Sequence, residues 1–452
     1  MPSRVCVIGL WHLGTVSAVG FAELGLEVIG VDDDAMRIER LKSGHPPLFE
    51  PGLEDALREQ LAAGHLHVTT DYAEALHGAR YVVLAFDTPV NEQDEVDLTT
   101  VFGAAETMAP WLKPEAVVIV SSQVPVGTCE RLDRMIGAAD PARPFGLACV
   151  PENLRLGSAL DCFRHPSMVV IGAEQRRTQD RVEALYEPLP APKIRMSLRS
   201  AEMTKHAINA YLATCVSYIN ELANLCDAAG ANAEQVAAAL QLDGRVSPHA
   251  PLRPGGVGFS GATLARDLRV LQALGRSTRH PTHLVDAVLA VNQEQRRLVA
   301  RRLGSIFGSL AGLTIGLLGL TYKPGTSTLR RSAALEIAQA LHAGGARVKG
   351  YDPKADAEEL RGQEAIEVCA RPEDAASQSD ALVIVTGWPE FRQLDFSGLG
   401  KLMRNQIVID AGNLLDGERM RALGFAYCDV GRGSKLPPAI AGRAQEEVAL
   451  CE

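Results

Sequence analysis

Arg4-Val5-Cys6-Val7-Ile8-Gly9-Leu10-Trp11-His12-Leu13-Gly14, followed by Glu27-Val28-Ile29-Gly30-Val31-Asp32, is the stretch that decides the fold. A short apolar strand, Arg4 to Ile8, runs into a glycine-flanked turn. A helical stretch then reaches Leu24 and stops at Gly25, and a second strand ends in Asp32-Asp33-Asp34. Strand, turn, helix and strand within about thirty residues make the minimal βαβ unit. The turn nearly matches the G-x-G-x-x-G fingerprint. There the first glycine permits the turn, the second lets a pyrophosphate approach the backbone, and the third packs helix on strand. Gly9 and Gly14 hold the outer positions, and Trp11 replaces the middle glycine. Asp32 ends the second strand, where a carboxylate binds an adenosine ribose and repels the 2′-phosphate of NADP. These residues read as an NAD site; the bland alternative is a Rossmann fold that has lost its cofactor.

The same grammar continues outward. Apolar runs at Tyr81–Leu84, Val117–Val120, Leu147–Val150 and Met168–Ile171 are separated by helical patterns, which implies a mostly parallel sheet. From Ser200 to about Leu303 the strand signals stop. Helices are expected over 200–227, 232–242 and 281–303, with a glycine- and proline-rich loop over 243–261. At Leu313 the opening returns: Leu313–Leu320 resembles Val5–Leu10, and Arg347–Asp352 resembles Glu27–Asp32. Further strands are expected at Ala381–Thr386 and Gln406–Asp410. The fold class is α/β: two Rossmann-like, doubly wound parallel-sheet domains joined by a central helical domain. The boundaries read as 1–199, 200–305 and 306–435, with a polar tail over 436–452.

Composition narrows the partners. A chain of 452 residues is about three domains long at ~150 residues each. Its apolar fraction of 46% and charged fraction of 22% are those of an ordinary globular enzyme. A net charge of −10 without a long basic stretch argues against nucleic acid. No apolar run reaches the ~18 residues of a membrane span, and the N-terminus enters a strand directly, so no leader is expected. Nine cysteines without CxxC or Cys/His spacing imply reduced thiols in the cytoplasm and no metal site.

Lys205 and Asn209 lie four residues apart on an expected helix and therefore share a face. Such a pair holds an oxyanion or alkoxide; its bland reading is solvated surface. Pro254–Gly261 is either a backbone cradle for phosphates or a mobile connection. Asp267, in the helix start that follows, either handles a proton or faces water.

Five further stretches carry a resemblance: Val150–Ala159, Glu202–Ala210, Gly255–Asp267, Leu320–Thr326 and Thr386–Phe391. In order and spacing, the chain resembles the UDP-glucose/GDP-mannose dehydrogenase family up to about Val430. The resemblance implies two successive oxidations of a nucleotide-sugar C6 alcohol by NAD, in a homodimer built on the central helices. It implies that Lys205 and Asn209 hold the oxyanion, that Asp267 and Glu152 belong to the catalytic site, and that Arg245 reaches the neighbouring subunit's substrate site. Tyr322 and Lys323 become substrate contacts, with Leu154 and Gly258 beside them. Gly9, Trp11, Gly14, Asp32, Arg37, Thr88, Gln123 and Arg330 become the cofactor contacts.

The departures bear on chemistry. Thr263 stands where the family has its nucleophilic cysteine. Arg266 replaces a lysine, Leu156 a glutamate, Gln123 a threonine and Gly412 an arginine. A thiol of pKa ~8.5 ionises beside cations and adds to an aldehyde. A threonine hydroxyl is far less acidic, whereas the first oxidation needs only a base and a positioned nicotinamide. Cys162, just past the Glu152 loop, is the other thiol to be weighed. The leading expectation is an NAD-dependent dehydrogenase that stops at the aldehyde or ketone, or completes the full oxidation only inefficiently. A non-catalytic homologue, or a dehydrogenase for another nucleotide-linked alcohol, stays open.

Overall fold

The computed structural model describes residues 4–88, 96–259, 263–329 and 331–433. The expected site residue Arg330 and the tail over 436–452 lie outside them. The chain divides into two compact units, 1–208 and 209–452.

The first unit is one eight-stranded sheet. Its strands are β1 (Arg4–Ile8), β2 (Glu27–Val31), β3 (Leu66–Thr69), β4 (Tyr81–Leu84), β5 (Val117–Val120), β6 (Gly146–Cys149), β7 (Val169–Gly172) and β8 (Lys193–Met196). They lie in the order β3-β2-β1-β4-β5-β6-β7-β8, with β1 to β6 parallel. β1 is buried on both faces. Val5 and Val7 pack with Leu13, Val16 and Phe21 on one side, and Cys6 and Ile8 pack with Ala75, Ala105 and Met108 on the other. That two-sided burial is why β1 reads as an unbroken apolar run. The strand order reverses between β1 and β4, and the crevice beyond their carboxyl ends is where doubly wound sheets take ligands. One feature departs from an all-parallel sheet: β7 runs antiparallel to β6, and β8 follows β7. The segment after β6 returns to the same end of the sheet instead of crossing a face, which makes the next neighbour antiparallel.

The second unit holds helices Ala233–Leu242, Thr263–Thr278, His283–Arg296 and Leu298–Phe307, and a second sheet. The helix Leu198–Ala229 is continuous across the division. The second sheet comprises β9 (Thr314–Leu318), β10 (Arg347–Tyr351), β11 (Glu367–Val368), β12 (Ala381–Ile384), β13 (Ile407–Asp410) and β14 (Ala426–Cys428). All are parallel, in the order β11-β10-β9-β12-β13-β14. The single helix expected over 281–303 is two helices, broken at Arg297 without proline or glycine. Each half buries a different surface. Val288 and Leu289 pack with Ala213, Phe259 and Leu268, while Val299, Leu303, Ile306 and Phe307 join the core of the second sheet.

The opening turn is sterically closed at Gly14, where a Cβ would lie 1.6 Å from the Gly9 carbonyl oxygen. Gly14→Ala should destabilise the first unit by about 3 kcal/mol, since backbone must move to admit the methyl. Gly103→Ala is the control: it sits in the helix Thr99–Met108 with open space around its Cβ. It should be neutral or gain about 0.5 kcal/mol. Urea titration of both variants checks the difference, and a Gly14→Ala protein as stable as wild type contradicts this packing.

Candidate functional site

The dinucleotide turn is built by three backbone ties. Gly9 adopts φ +90, a left-handed conformation that glycine tolerates. Its N–H donates to the Val31 carbonyl at 2.9 Å. The next N–H, of Leu10, donates to Asp32 Oδ2 at 2.6 Å. Asp32 Oδ1 accepts the Asp34 N–H at 3.0 Å and Arg37 Nη1 at 2.6 Å, so Asp32 and Arg37 form an ion pair at the end of β2.

Trp11 precedes the helix His12–Glu23. Its indole cannot cap the helix, and Asp87 Oδ2 takes the Leu13 N–H instead, at 3.3 Å. The Trp11 ring is 43% exposed and rests against the Arg37 guanidinium, 5.3 Å from ring centre to Cζ. Its bulk is thus carried towards Arg37. A helix start whose own N-cap residue supplies no cap, reached through Gly9 and Gly14, fits a diphosphate at the N–H groups that Asp87 leaves. Thr88 Oγ1 donates to the Gln123 carbonyl at 2.8 Å, joining the loops after β4 and β5.

Glu152 lies in the loop after β6 and accepts the Leu154 N–H. Lys205 is buried, and its Nζ donates to Asn153 Oδ1 at 3.2 Å, within the same loop. Burial drives the Glu152 carboxyl above the ordinary carboxylate range, and the attraction of the Lys205 ammonium only partly offsets this. The structure therefore brings Glu152, Leu154 and Lys205 together. It adds two residues that the sequence reading passed over, His12 and Glu50. His12 Nε2 meets Glu50 Oε2 at 2.9 Å, and Glu50 also accepts the N–H groups of Gly157 and Ala159. A histidine inside the turn motif was the available signal.

In the second unit, Asn209 donates through Nδ2 to Asp267 Oδ2, and Arg266 Nε lies 3.8 Å from Asp267 Oδ1. Asp267 is fully buried. Thr263 is exposed at the first residue of the helix Thr263–Thr278. The described part of the glycine-rich loop is pinned rather than a free connection. Gln295 Nε2 donates to the Gly256 carbonyl at 2.7 Å, and Asn292 Oδ1 accepts the Phe259 N–H at 2.8 Å. Gly258 has φ +87, and a Cβ there would lie 2.3 Å from Asn292 Oδ1. Arg245 is exposed and forks onto Asp243 at 2.6 and 2.9 Å. Lys323 Nζ lies 5.6 Å from the centre of the Tyr322 ring. Cys162 sits on the helix Ala159–Arg164, 3.8 Å from Ser158 Oγ.

Comparison with known proteins gives a family match over most of the chain. Residues 3–190 match the NAD binding domain of the UDP-glucose/GDP-mannose dehydrogenase family, 199–294 its central domain, and 316–417 its UDP binding domain. The chain belongs to this family. It is an NAD-dependent oxidoreductase acting on the CH–OH group of a nucleotide sugar. It is 38% identical to a UDP-glucose 6-dehydrogenase of Pseudomonas aeruginosa over 95% of this chain and 97% of that one. It is 36% identical to a UDP-glucose 6-dehydrogenase of Rhizobium meliloti over 95% and 99%. A UDP-glucose dehydrogenase structure from Pyrobaculum islandicum superposes with TM-score 0.83 at 32% identity, covering 92% of this chain and 98% of that one. Among the described residues no helix is long and apolar enough to cross a membrane.

If Asp32 holds the adenosine ribose of this family's cofactor, Asp32→Ala should weaken NAD binding about tenfold or more, roughly 1.4 kcal/mol. Wild type should bind NAD more tightly than NADP, and Asp32→Ala should narrow that gap. Titration calorimetry with both dinucleotides reads this, and equal affinities in wild type contradict the assignment.

Proposed function

We propose that this enzyme oxidises the C6 alcohol of a UDP-glucose-like nucleotide sugar and releases the aldehyde after one two-electron step. The carrying observation is Thr263, an exposed hydroxyl at a helix start where the resemblance requires a thiol. The choice of UDP-glucose follows from the UDP binding domain match and from the names of the relatives.

Bound NAD supplies the hydride acceptor. The chain supplies the rest. Glu152 takes the hydroxyl proton, directly or through water, and its raised pKa makes it a stronger base than an ordinary carboxylate. Lys205 and Asn209, four residues apart on the helix Leu198–Ala229, bind the developing alkoxide. Asp267 holds the Asn209 amide in one orientation. The aldehyde then meets no thiol at position 263. Six of the eight described cysteines are buried, and the two half-buried ones lie elsewhere, Cys162 on the helix Ala159–Arg164 and Cys369 just after β11.

The homodimer belongs to the same reading. Tyr211, Tyr218 and Leu225 are 52%, 49% and 61% exposed on the helix Leu198–Ala229. Their spacing of seven puts them in one stripe, an apolar liability unless covered by a partner. The exposed Arg245 is the residue that would enter the partner's substrate site. We place the enzyme in the cytoplasm, in keeping with the free thiols.

Turnover with UDP-glucose, or with a related sugar from a small panel, should give one NADH per substrate and an aldehyde that hydroxylamine traps. Thr263→Cys should recover little of a second oxidation, because Leu156 and Arg266 also depart from the family and groups acting as a unit are non-additive. Two NADH per substrate and a uronate product at an undiminished rate overturn the single-step reading. Measurable binding with no NADH from any sugar supports a non-catalytic homologue instead. For assembly, light scattering at micromolar concentration should give twice the chain mass of 48.4 kDa. Tyr218→Glu, which places charge in the stripe, should shift it towards monomer.

A further inference from the structure

The helix that follows the dinucleotide turn opens with an imidazole turned inward. His12 Nε2 lies 2.9 Å from Glu50 Oε2, and the Glu50 side chain is fully enclosed. Glu50 Oε2 also accepts the Gly157 N–H at 3.0 Å, and Oε1 accepts the Ala159 N–H at 2.6 Å. One buried carboxylate thus fastens the start of the cofactor helix to the segment five to seven residues after Glu152. Enclosing a carboxylate costs several kcal/mol, which apolar packing of the same loop would avoid. An ionic tie is therefore a costly way merely to fill space, but an effective way to fix position.

The charged groups around His12 come from three loops. Glu50 approaches from the loop before the helix Leu53–Ala62, Asp87 from the loop after β4, and Glu152 from the loop after β6. Burial disfavours the imidazolium. The Glu50 hydrogen bond and the charges of Asp87, Glu50 and Glu152 outweigh it, so the His12 pKa lies above the ordinary imidazole value. Glu50 is displaced the other way: burial raises it, but His12 and the two backbone N–H groups lower it further.

We propose that His12 is a positioning residue that acts through Glu50 to couple the dinucleotide turn to the loop carrying Glu152. Occupancy of the turn then sets the Glu152 carboxylate for proton transfer. This deepens the reading of Glu152 as the base and rests on it.

Two substitutions separate the roles of the hydrogen bond and the charge. His12→Phe removes both; His12→Gln keeps a donor to Glu50 and loses the charge. His12→Phe should lower plateau kcat about tenfold or more, and His12→Gln by no more than about threefold. His12 is one of the cations that lower the Glu152 pKa. Both variants should therefore move the acid limb of kcat to higher pH, by about half a unit. A residue that only filled space would leave that limb in place.

An independent arm uses hydrogen exchange on the full chain. NAD should slow exchange at the Gly157 and Ala159 amides in wild type, His12→Phe should abolish the response, and His12→Gln should restore it. A response that persists in His12→Phe, or an unmoved acid limb in both variants, overturns the coupling. Wild type that binds NAD and protects these amides but makes no NADH upholds the strap while the functional reading falls.

Discussion

A carboxylate that closes a strand onto a turn is the constraint on which both sheets depend. In the first, Asp32 at the end of β2 accepts the N–H of Leu10, the residue after the turn glycine, at 2.6 Å. In the second, Asp352 after β10 accepts the N–H of Leu320 at 2.7 Å. The flanking geometry repeats as well. Gly9 and Gly319 have φ +90 and +86, and each donates its N–H across to the neighbouring strand end, at 2.9 and 2.8 Å. Leu10 and Leu320 then turn back onto Gly30 and Gly350, where a Cβ would stand 2.9 and 3.0 Å from the leucine side chain. A turn held this way presents its following N–H groups outward at the carboxyl edge of a parallel sheet, the place where an anion is best received.

The two copies diverge in what else the carboxylate holds. Asp352 Oδ2 receives four donors: the Leu320 and Thr321 N–H groups, Thr321 Oγ1 and Trp388 Nε1. Trp388 is itself buried, so this oxygen is committed to the fold. Asp32 instead leans on Arg37, a side chain 25% exposed that a ribose can displace or share. That difference agrees with the NAD binding domain match falling on residues 3–190 and the UDP binding domain match on 316–417.

Much of this was legible because the deciding residues are close in sequence. β1, β2, β4, β5, β9, β12 and β13 are buried on both faces and read as apolar runs, and the internal repeat gave the second Rossmann unit without further information. β3 and β8 were missed because four residues that alternate in exposure, or that are nowhere fully buried, look like loop. The direction of β7 was illegible: Val169-Val-Ile-Gly172 is as apolar as any parallel strand, and only the path of the preceding segment reverses it. The break at Arg297 was hidden for a similar reason, since both halves are good helix and only their different burial partners divide them. His12 and Glu50 are 38 residues apart, and their pairing depends on the third segment, Gly157 and Ala159, that both help to place. Lys205, Asn209 and Asp267 gained roles from the family resemblance, and the geometry supplies their partners: Asn153, Asp267 and Asn209.

The position of Thr263 makes the chemical argument sharper than the substitution alone. The first turn of a helix is a place where an anion is favoured, worth about 0.3–1 kcal/mol at an exposed site and up to about 2 kcal/mol where partly buried. At 1.36 kcal/mol per unit, that field lowers a pKa by roughly 0.2–0.7 unit at an exposed site and by up to about 1.5 units where partly buried. For a thiol near 8.5, the upper end of that range brings the thiolate within reach of neutral pH, which is why reactive cysteines favour helix starts. An aliphatic alcohol lies so far above that range that the same field leaves it un-ionised. It would need a base of its own, and the buried carboxylate four residues along the same helix, Asp267, is held by the Asn209 amide. The hydride step makes no such demand at position 263. In the proposed function it draws on Glu152 and Lys205, which the first unit assembles through its own loop. On the proposed reading, the scaffold keeps the parts of the first oxidation intact while the residue at the helix start withdraws the covalent route to the second.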